Sequence, residues 1–207
     1  MVEPISAQGL VYVDYAIFLL ADPEQTGQPV PPATNGLVTS KPGIAVIRAS
    51  ASSGWVQVSL ELREEPPAHV AEESWEEVVD HSVESLTGQM RVASLMDDPP
   101  DLPVLTPSGP GPYRIRIHAK GRDIAPDAVA EVPLEDYLLI IWPEAPGPEV
   151  VHKQTDQYGA SLRAQAAVRR IEESASGEPA VGPVEQAKQR RFDEVRERQR
   201  RVGTEPA

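Results

Sequence analysis

Four histidines, His69, His81, His118 and His152, are the side chains best suited to metal or acid–base chemistry near neutral pH. No two are spaced i,i+4 or in another metal-type pattern, so a zinc site would need convergence from distant parts of the chain. They read as surface or strand-face histidines. Asp97, Asp98 and Asp101 gather in the run Asp97-Asp98-Pro99-Pro100-Asp101. Calcium prefers a loop that wraps the ion around a central glycine. Here two prolines stiffen the loop and no glycine is present, so it reads as an acidic surface loop. No Gly-x-Ser-x-Gly elbow offers a serine nucleophile, and no Gly-x-Gly-x-x-Gly or phosphate loop is found. Cysteine is absent, which excludes disulfides, thiolate metal sites and cysteine nucleophiles. Acids are so numerous that no catalytic carboxylate pair stands out. The expectation is therefore a protein with no catalytic, cofactor-binding or metal-binding residues.

The charge points elsewhere. The net charge is −13 over 207 residues. Residues 1–150 hold 8 Lys and Arg against 23 Asp and Glu, a net of −15, while residues 151–207 are slightly basic. An acidic domain repels phosphate backbones, so direct nucleic-acid binding is not expected of it. It suits a basic protein partner, or serves solubility alone. Candidate contacts are the carboxylates of the two polar stretches: Glu64, Glu65, Glu72, Glu73, Glu76, Asp80, Asp97, Asp98 and Asp101. The start of the chain lacks a basic n-region, and Val11–Leu20 is broken by Asp14 and too short to span a bilayer. A cytoplasmic location and no membrane contact are the expectations.

The elements that hold these residues read mainly as strands. Gly111 to Pro143 is the centre. Pro112–Ala119 alternates Tyr113, Ile115 and Ile117 with Arg114, Arg116 and His118, the period of a strand with one dry and one wet face. The second run, Leu134–Trp142, is apolar on both faces over Tyr137-Leu138-Leu139-Ile140-Ile141-Trp142 and reads as covered on both, with Pro143 ending it. Gly9–Ala21 is a long strand rich in β-branched and aromatic residues. Leu37–Thr39, Ile44–Ala49 and the alternating Trp55–Leu62 follow, separated by turns at Lys41-Pro42-Gly43 and Ser52-Ser53-Gly54. Trp75 to Leu86 fits a helical stripe as well, but Thr87-Gly88 reads as a turn into a short strand at Gln89–Leu95, which favours extended chain.

Composition then divides the chain. With 22 prolines, long helices are disfavoured in the front part. Pro143, Pro146 and Pro148 read as a stiff linker. Gln157–Ser174 and Pro183–Val202 read as helices, the last with a sparse apolar stripe and charge almost all round. The expected organisation is an acidic β-sandwich over residues 1–146, then a linker and marginally stable helical tail over residues 147–207. The tail is locally basic at Lys188, Arg190 and Arg191, but Asp193, Glu194 and Glu197 interrupt it.

The order of features is similar to the competence protein J family, small inhibitors of a DNA-entry nuclease. The likeness is carried by Tyr12-Val13-Asp14-Tyr15-Ala16-Ile17-Phe18, by the stretch from Trp75 to Leu95, and by Gly111-Pro112-Tyr113-Arg114-Ile115 followed by Tyr137 to Trp142. It covers roughly residues 9–143. The chain departs from the pattern in the insertion Gly121–Pro133 and in its tail. The resemblance implies a non-catalytic, acidic protein-binding module of the inhibitor or immunity type, with a nuclease as partner. The rival reading is a structural or adaptor protein whose C-terminal tail docks a partner.

Overall fold

A computed structural model describes residues 4–25 and 30–176. Eleven strands and one helix follow in chain order: β1 (Ile5–Asp14), β2 (Ile17–Ala21), β3 (Val38–Lys41), β4 (Ile44–Arg48), β5 (Ser53–Leu62), β6 (Glu77–Ser85), β7 (Arg91–Ala93), β8 (Gly111–Lys120), β9 (Val129–Ala130), β10 (Asp136–Pro143), β11 (Val150–Gln154) and α1 (Gln157–Ser176). The expected mainly β fold is found. In place of two stacked sheets, the strands form one sheet in the order β11-β6-β8-β10-β5-β1-β2-β4-β3, with β7 beside β2 and β9 beside β5. The sheet curls into a half-barrel. Ser40 on β3 brings its Oγ to 2.8 Å from His81 Nε2 and donates to the Ser82 carbonyl on β6, so one end of the strand order returns to the other.

The concave face holds the core. Val11 and Val13, Val56 to Leu62 on alternate positions, Tyr113, Ile115 and Ile117, and Tyr137, Leu139 and Ile141 all point into it. This is the period-two alternation expected of β5 and β8. β10 is buried on both faces, as its composition implied: Ile140 and Trp142 are almost inaccessible on the convex side.

Three readings change. The long strand expected at Gly9–Ala21 is two strands. Tyr15 and Ala16 both take positive φ, 54° and 58°, a two-residue turn of the hairpin type. Neither residue is glycine or asparagine, so the turn left no mark in the sequence. It is held from outside, by Ala16 N donating to the Ser52 carbonyl and Ala49 N to that of Ala16. Arg114, Arg116 and His118 are not on a wet face but are buried, for the reason given below. The prolines read as a linker, Pro143 to Pro148, lead straight into β11, which pairs with β6, so they join two strands of one sheet.

The helix expected at Gln157–Ser174 is present as α1. Asp156 caps its start, accepting Gly159 N at 2.8 Å, as acidic residues do at the exposed N–H groups of a first turn. The first unit of the chain runs to Ala166, which includes β11 and the start of this helix. The helix expected at Pro183–Val202 lies outside the described residues. No helix among those described is long and apolar enough to cross a membrane.

Candidate partner-binding surface

The topology creates the first acidic surface. β5 runs parallel to β10, β10 antiparallel to β8, and β8 antiparallel to β6. The chain leaving β5 must therefore cross two strands to enter β6 in the same direction. Residues 63–76 make that crossing on the convex face, and they cover the alternate row of β8. Arg116 Nη1 donates to the His69 carbonyl at 3.2 Å. The Trp75 ring lies 5.4 Å from that of His118, with Lys120 Nζ 5.2 Å from the same indole. Lys153 on β11 donates to the Glu72 carbonyl at 2.9 Å. The backbone is tied down and the acids turn outward: Glu64, Glu65 and Glu73 are exposed and Glu72 is half-buried.

Two predicted contacts belong to the scaffold instead. Glu76 accepts Gly121 N at 2.8 Å and is half-buried. Asp80 is buried under the crossing chain and is gripped by Arg116 at both oxygens, 2.6 and 2.9 Å, with His152 Nε2 at 3.1 Å from Oδ2. Burial raises its pKa, but the bonds from Arg116 and His152 outweigh that and hold it below the usual carboxylate value. It offers no free charge to a partner.

The second surface is the loop after β7. Ser94 Oγ donates to the Tyr12 carbonyl at 2.6 Å, and Met96 N to Asp14 Oδ2 at 3.1 Å. Leu102 then enters the core against Gly9. Between these anchors Asp97, Asp98 and Asp101 are all exposed. Asp97 borders a groove of about 450 Å³ whose walls include Asp22, Glu24, Arg91, Leu95 and Pro99. The nine predicted residues thus fall into two surface groups, on the crossing chain and on this loop, in which Glu72 alone is half-buried, and two engaged acids.

Chain comparison adds a fold likeness. The structure overlays on that titled crocagin biosynthetic gene J with 15% identity, covering 70% of this chain and 100% of that one, at a TM-score of 0.45. It overlays on ComJ of Bacillus subtilis, an inhibitor of the DNA degrading activity of NucA, with 13% identity, covering 69% and 100%, at a TM-score of 0.48. The chain weakly resembles ComJ. No family profile and no curated protein matches the sequence.

A third set of charges was not foreseen. Arg122, in the segment after β8, is fully buried. Its Nε donates to Asp156 Oδ2 at 2.5 Å and its Nη1 to the carbonyls of Gly36 and Arg48 at 2.9 and 3.2 Å. Glu77 Oε2 accepts Arg163 Nη1 at 3.1 Å and lies 3.9 Å from Arg122 Nη2. Burial and the nearby Asp156 carboxylate raise the Glu77 pKa to about 7, against the pull of Arg122 and Arg163. Gly36, at φ +76°, fits closely here: a Cβ would sit 2.5 Å from the Gly159 carbonyl oxygen. The cluster seats the start of α1 on the end of the half-barrel. Only the capping position of Asp156 was readable locally.

Each buried carboxylate described is held in this manner. Asp22 accepts from Ser85 Oγ, Leu86 N and Thr87 Oγ1. Glu135 accepts from the Ser50 and Ala51 amides and from the Tyr137 hydroxyl. Glu77, Asp80 and Asp156 are paired as above. His118 is buried beneath Trp75, and burial lowers its pKa to about 4, so it is neutral at physiological pH.

Proposed function

We propose that this chain is a non-catalytic, acidic protein-binding module of the inhibitor or immunity type, acting on a basic protein. The observation that carries this reading is the division of its acids. The buried carboxylates are spent on the scaffold, whereas Glu64, Glu65, Glu73, Asp97, Asp98 and Asp101 are exposed on segments whose backbones are pinned. Pinned backbones present charge at little ordering cost. Surface charge of one sign steers a basic partner and raises its association rate. A nuclease is a partner of this kind, because a groove that holds phosphates is basic.

The test compares two baits in affinity capture from native lysate: the wild-type chain and one carrying Glu64→Lys, Glu65→Lys, Glu73→Lys, Asp97→Lys and Asp98→Lys. A basic protein retained by the first and lost from the second supports the reading. Equal capture by both removes the carboxylates from it. Adding the captured partner's own activity assay then separates inhibition from simple binding.

A further inference from the structure

The contacts of the crossing chain fall on β8 and β11, while on β1 and β5 the outward residues Gln8, Leu10 and Trp55 are exposed. The apolar residues of these two strands that point away from the core are Leu10 and Tyr12 on β1 and Trp55 on β5, with Gln57 opposite Leu10. Tyr12 and Trp55 are direct cross-strand partners, with rings edge to face at 5.1 Å. β9 extends the patch, since Val129 pairs with Ser53 on the same side as Trp55. The Met96 amide bonded to Asp14 brings that methionine to the other side of β1. Leu10, Trp55, Met96 and Val129 are 46, 37, 74 and 69% exposed. Exposed apolar side chains gathered around an aromatic pair mark interaction sites on protein surfaces.

The rim decides the occupant. Asp14 stands on β1 next to Tyr12, Asp97 and Asp98 follow Met96, and Glu131 stands two residues beyond Val129. Arg91, which shares the groove with Asp97, turns Nη1 to the Leu102 carbonyl at 3.1 Å. An apolar centre inside a ring of carboxylates is the anatomy of a protein interface whose partner supplies cations around an apolar knob. A second copy of this chain fits poorly, because a two-fold contact would set this acidic rim against itself. Phosphate backbones and anionic lipids meet the same repulsion.

We propose that the Tyr12–Trp55 patch is the energetic centre of the partner interface, and that it receives a large apolar side chain flanked by lysine or arginine. This rests on the reading of the chain as a binder of basic proteins and adds where the affinity resides. The acids of the loop then set the rate of encounter, and the aromatic pair sets the lifetime of the complex.

The test uses a random library of 12-residue phage-displayed peptides selected on the full chain. Selected peptides are synthesised and titrated against wild type, Trp55→Ser, Leu10→Ser and the pair Asp97→Lys, Asp98→Lys. The expected peptides join one large apolar residue to two or more basic ones. Binding should weaken about tenfold or more in Trp55→Ser and several-fold in Leu10→Ser, with melting temperatures close to wild type. Leu10→Ser guards against a folding defect in the tryptophan variant. Basic peptides that bind both variants undiminished, but fail on Glu64→Lys, Glu65→Lys, Glu73→Lys, would overturn this site and leave the wider reading standing. Acidic or charge-indifferent peptides would overturn both. A dimer in sedimentation that Trp55→Ser dissociates would overturn the choice of occupant.

Discussion

Arg122 and Asp156 meet at 2.5 Å with neither side chain exposed to solvent. They come from opposite sides of β10 in sequence, one from the segment after β8 and the other from the residue before α1. The chain that follows the proline stretch is therefore joined to the end of the half-barrel by a buried ion pair. A chain ending at residue 146 would lose β11 and leave the Arg122 guanidinium buried without its carboxylate. Removing one partner of such a pair costs about 3–5 kcal/mol. Residues 1–146 should melt well below the intact chain, and Asp156→Ala should reproduce most of the loss. A chain ending at residue 176 keeps β11 and the pair and should melt well above residues 1–146. Equal melting of the 1–146 and 1–176 fragments would show that the pair contributes nothing.

Glu77 sets a pH dependence of definite sign. Its folded pKa, about 7, lies above the ordinary 4.5, so the folded chain holds a proton there that the unfolded chain has released. Its contribution is full below pH 4.5 and is lost as pH rises to 7. At about 1.4 kcal/mol per unit, the limit is on the order of 3 kcal/mol. Denaturant unfolding between pH 5 and pH 8 should show a falling component in wild type that Glu77→Gln removes. A slope of the same size in both proteins would place the titration elsewhere.

His118 acts in the opposite direction. Its folded pKa of about 4 lies below the ordinary 6.5, so the folded chain excludes a proton that the unfolded chain binds. The stability tied to its neutral form is present above pH 6.5 and is lost as pH falls toward 4. Protonation would charge a ring buried under Trp75, whose Nε2 has no hydrogen-bond partner. Histidine proton resonances of the folded protein should show His118 untitrated down to about pH 5. Titration of this ring near pH 6.5 would mean that the crossing chain does not seal it.

Acids that look alike in sequence should differ sharply on mutation. Asp80→Ala leaves the Arg116 guanidinium buried and unpaired and should cost about 3 kcal/mol or more. Glu73→Lys alters an exposed side chain and should stay within about 0.5 kcal/mol. Chemical denaturation of both variants checks this. Similar losses would mean that the burial of Asp80 is not what distinguishes it.

Much of the sheet was readable because period-two alternation survives whatever the topology. Trp55 to Leu62 shows it cleanly, since one face meets the core and the other meets water. Pro112–Ala119 shows the same pattern, yet its polar face is buried. The cover comes from residues 63–76, about forty positions away, and an alternation of arginine and histidine carries no mark of such a lid. The Tyr15-Ala16 turn escaped because its left-handed residues lack glycine or asparagine. β11 escaped because it is a short edge strand whose pairing with β6 is shifted between Val151 and Lys153. Of the acidic candidates, the sequence located the polar segments but not the direction of each side chain. Asp80 is followed three residues later by Val83 on a strand whose two faces are both covered, and only the paired Arg116 shows which way it turns.

The central claim is that exposed acids on pinned segments recruit a basic protein, and association kinetics with the captured partner test it most directly. Long-range attraction is screened over a Debye length of about 8 Å at physiological ionic strength. The account predicts that the on-rate falls steeply from about 50 to 300 mM salt while the off-rate changes little. It also predicts that Glu64→Lys, Glu65→Lys, Glu73→Lys slows association more per charge than reversing Glu84, an exposed acid on β6 outside both surfaces. An on-rate indifferent to salt, or equal effects per charge from the two sets, would contradict it.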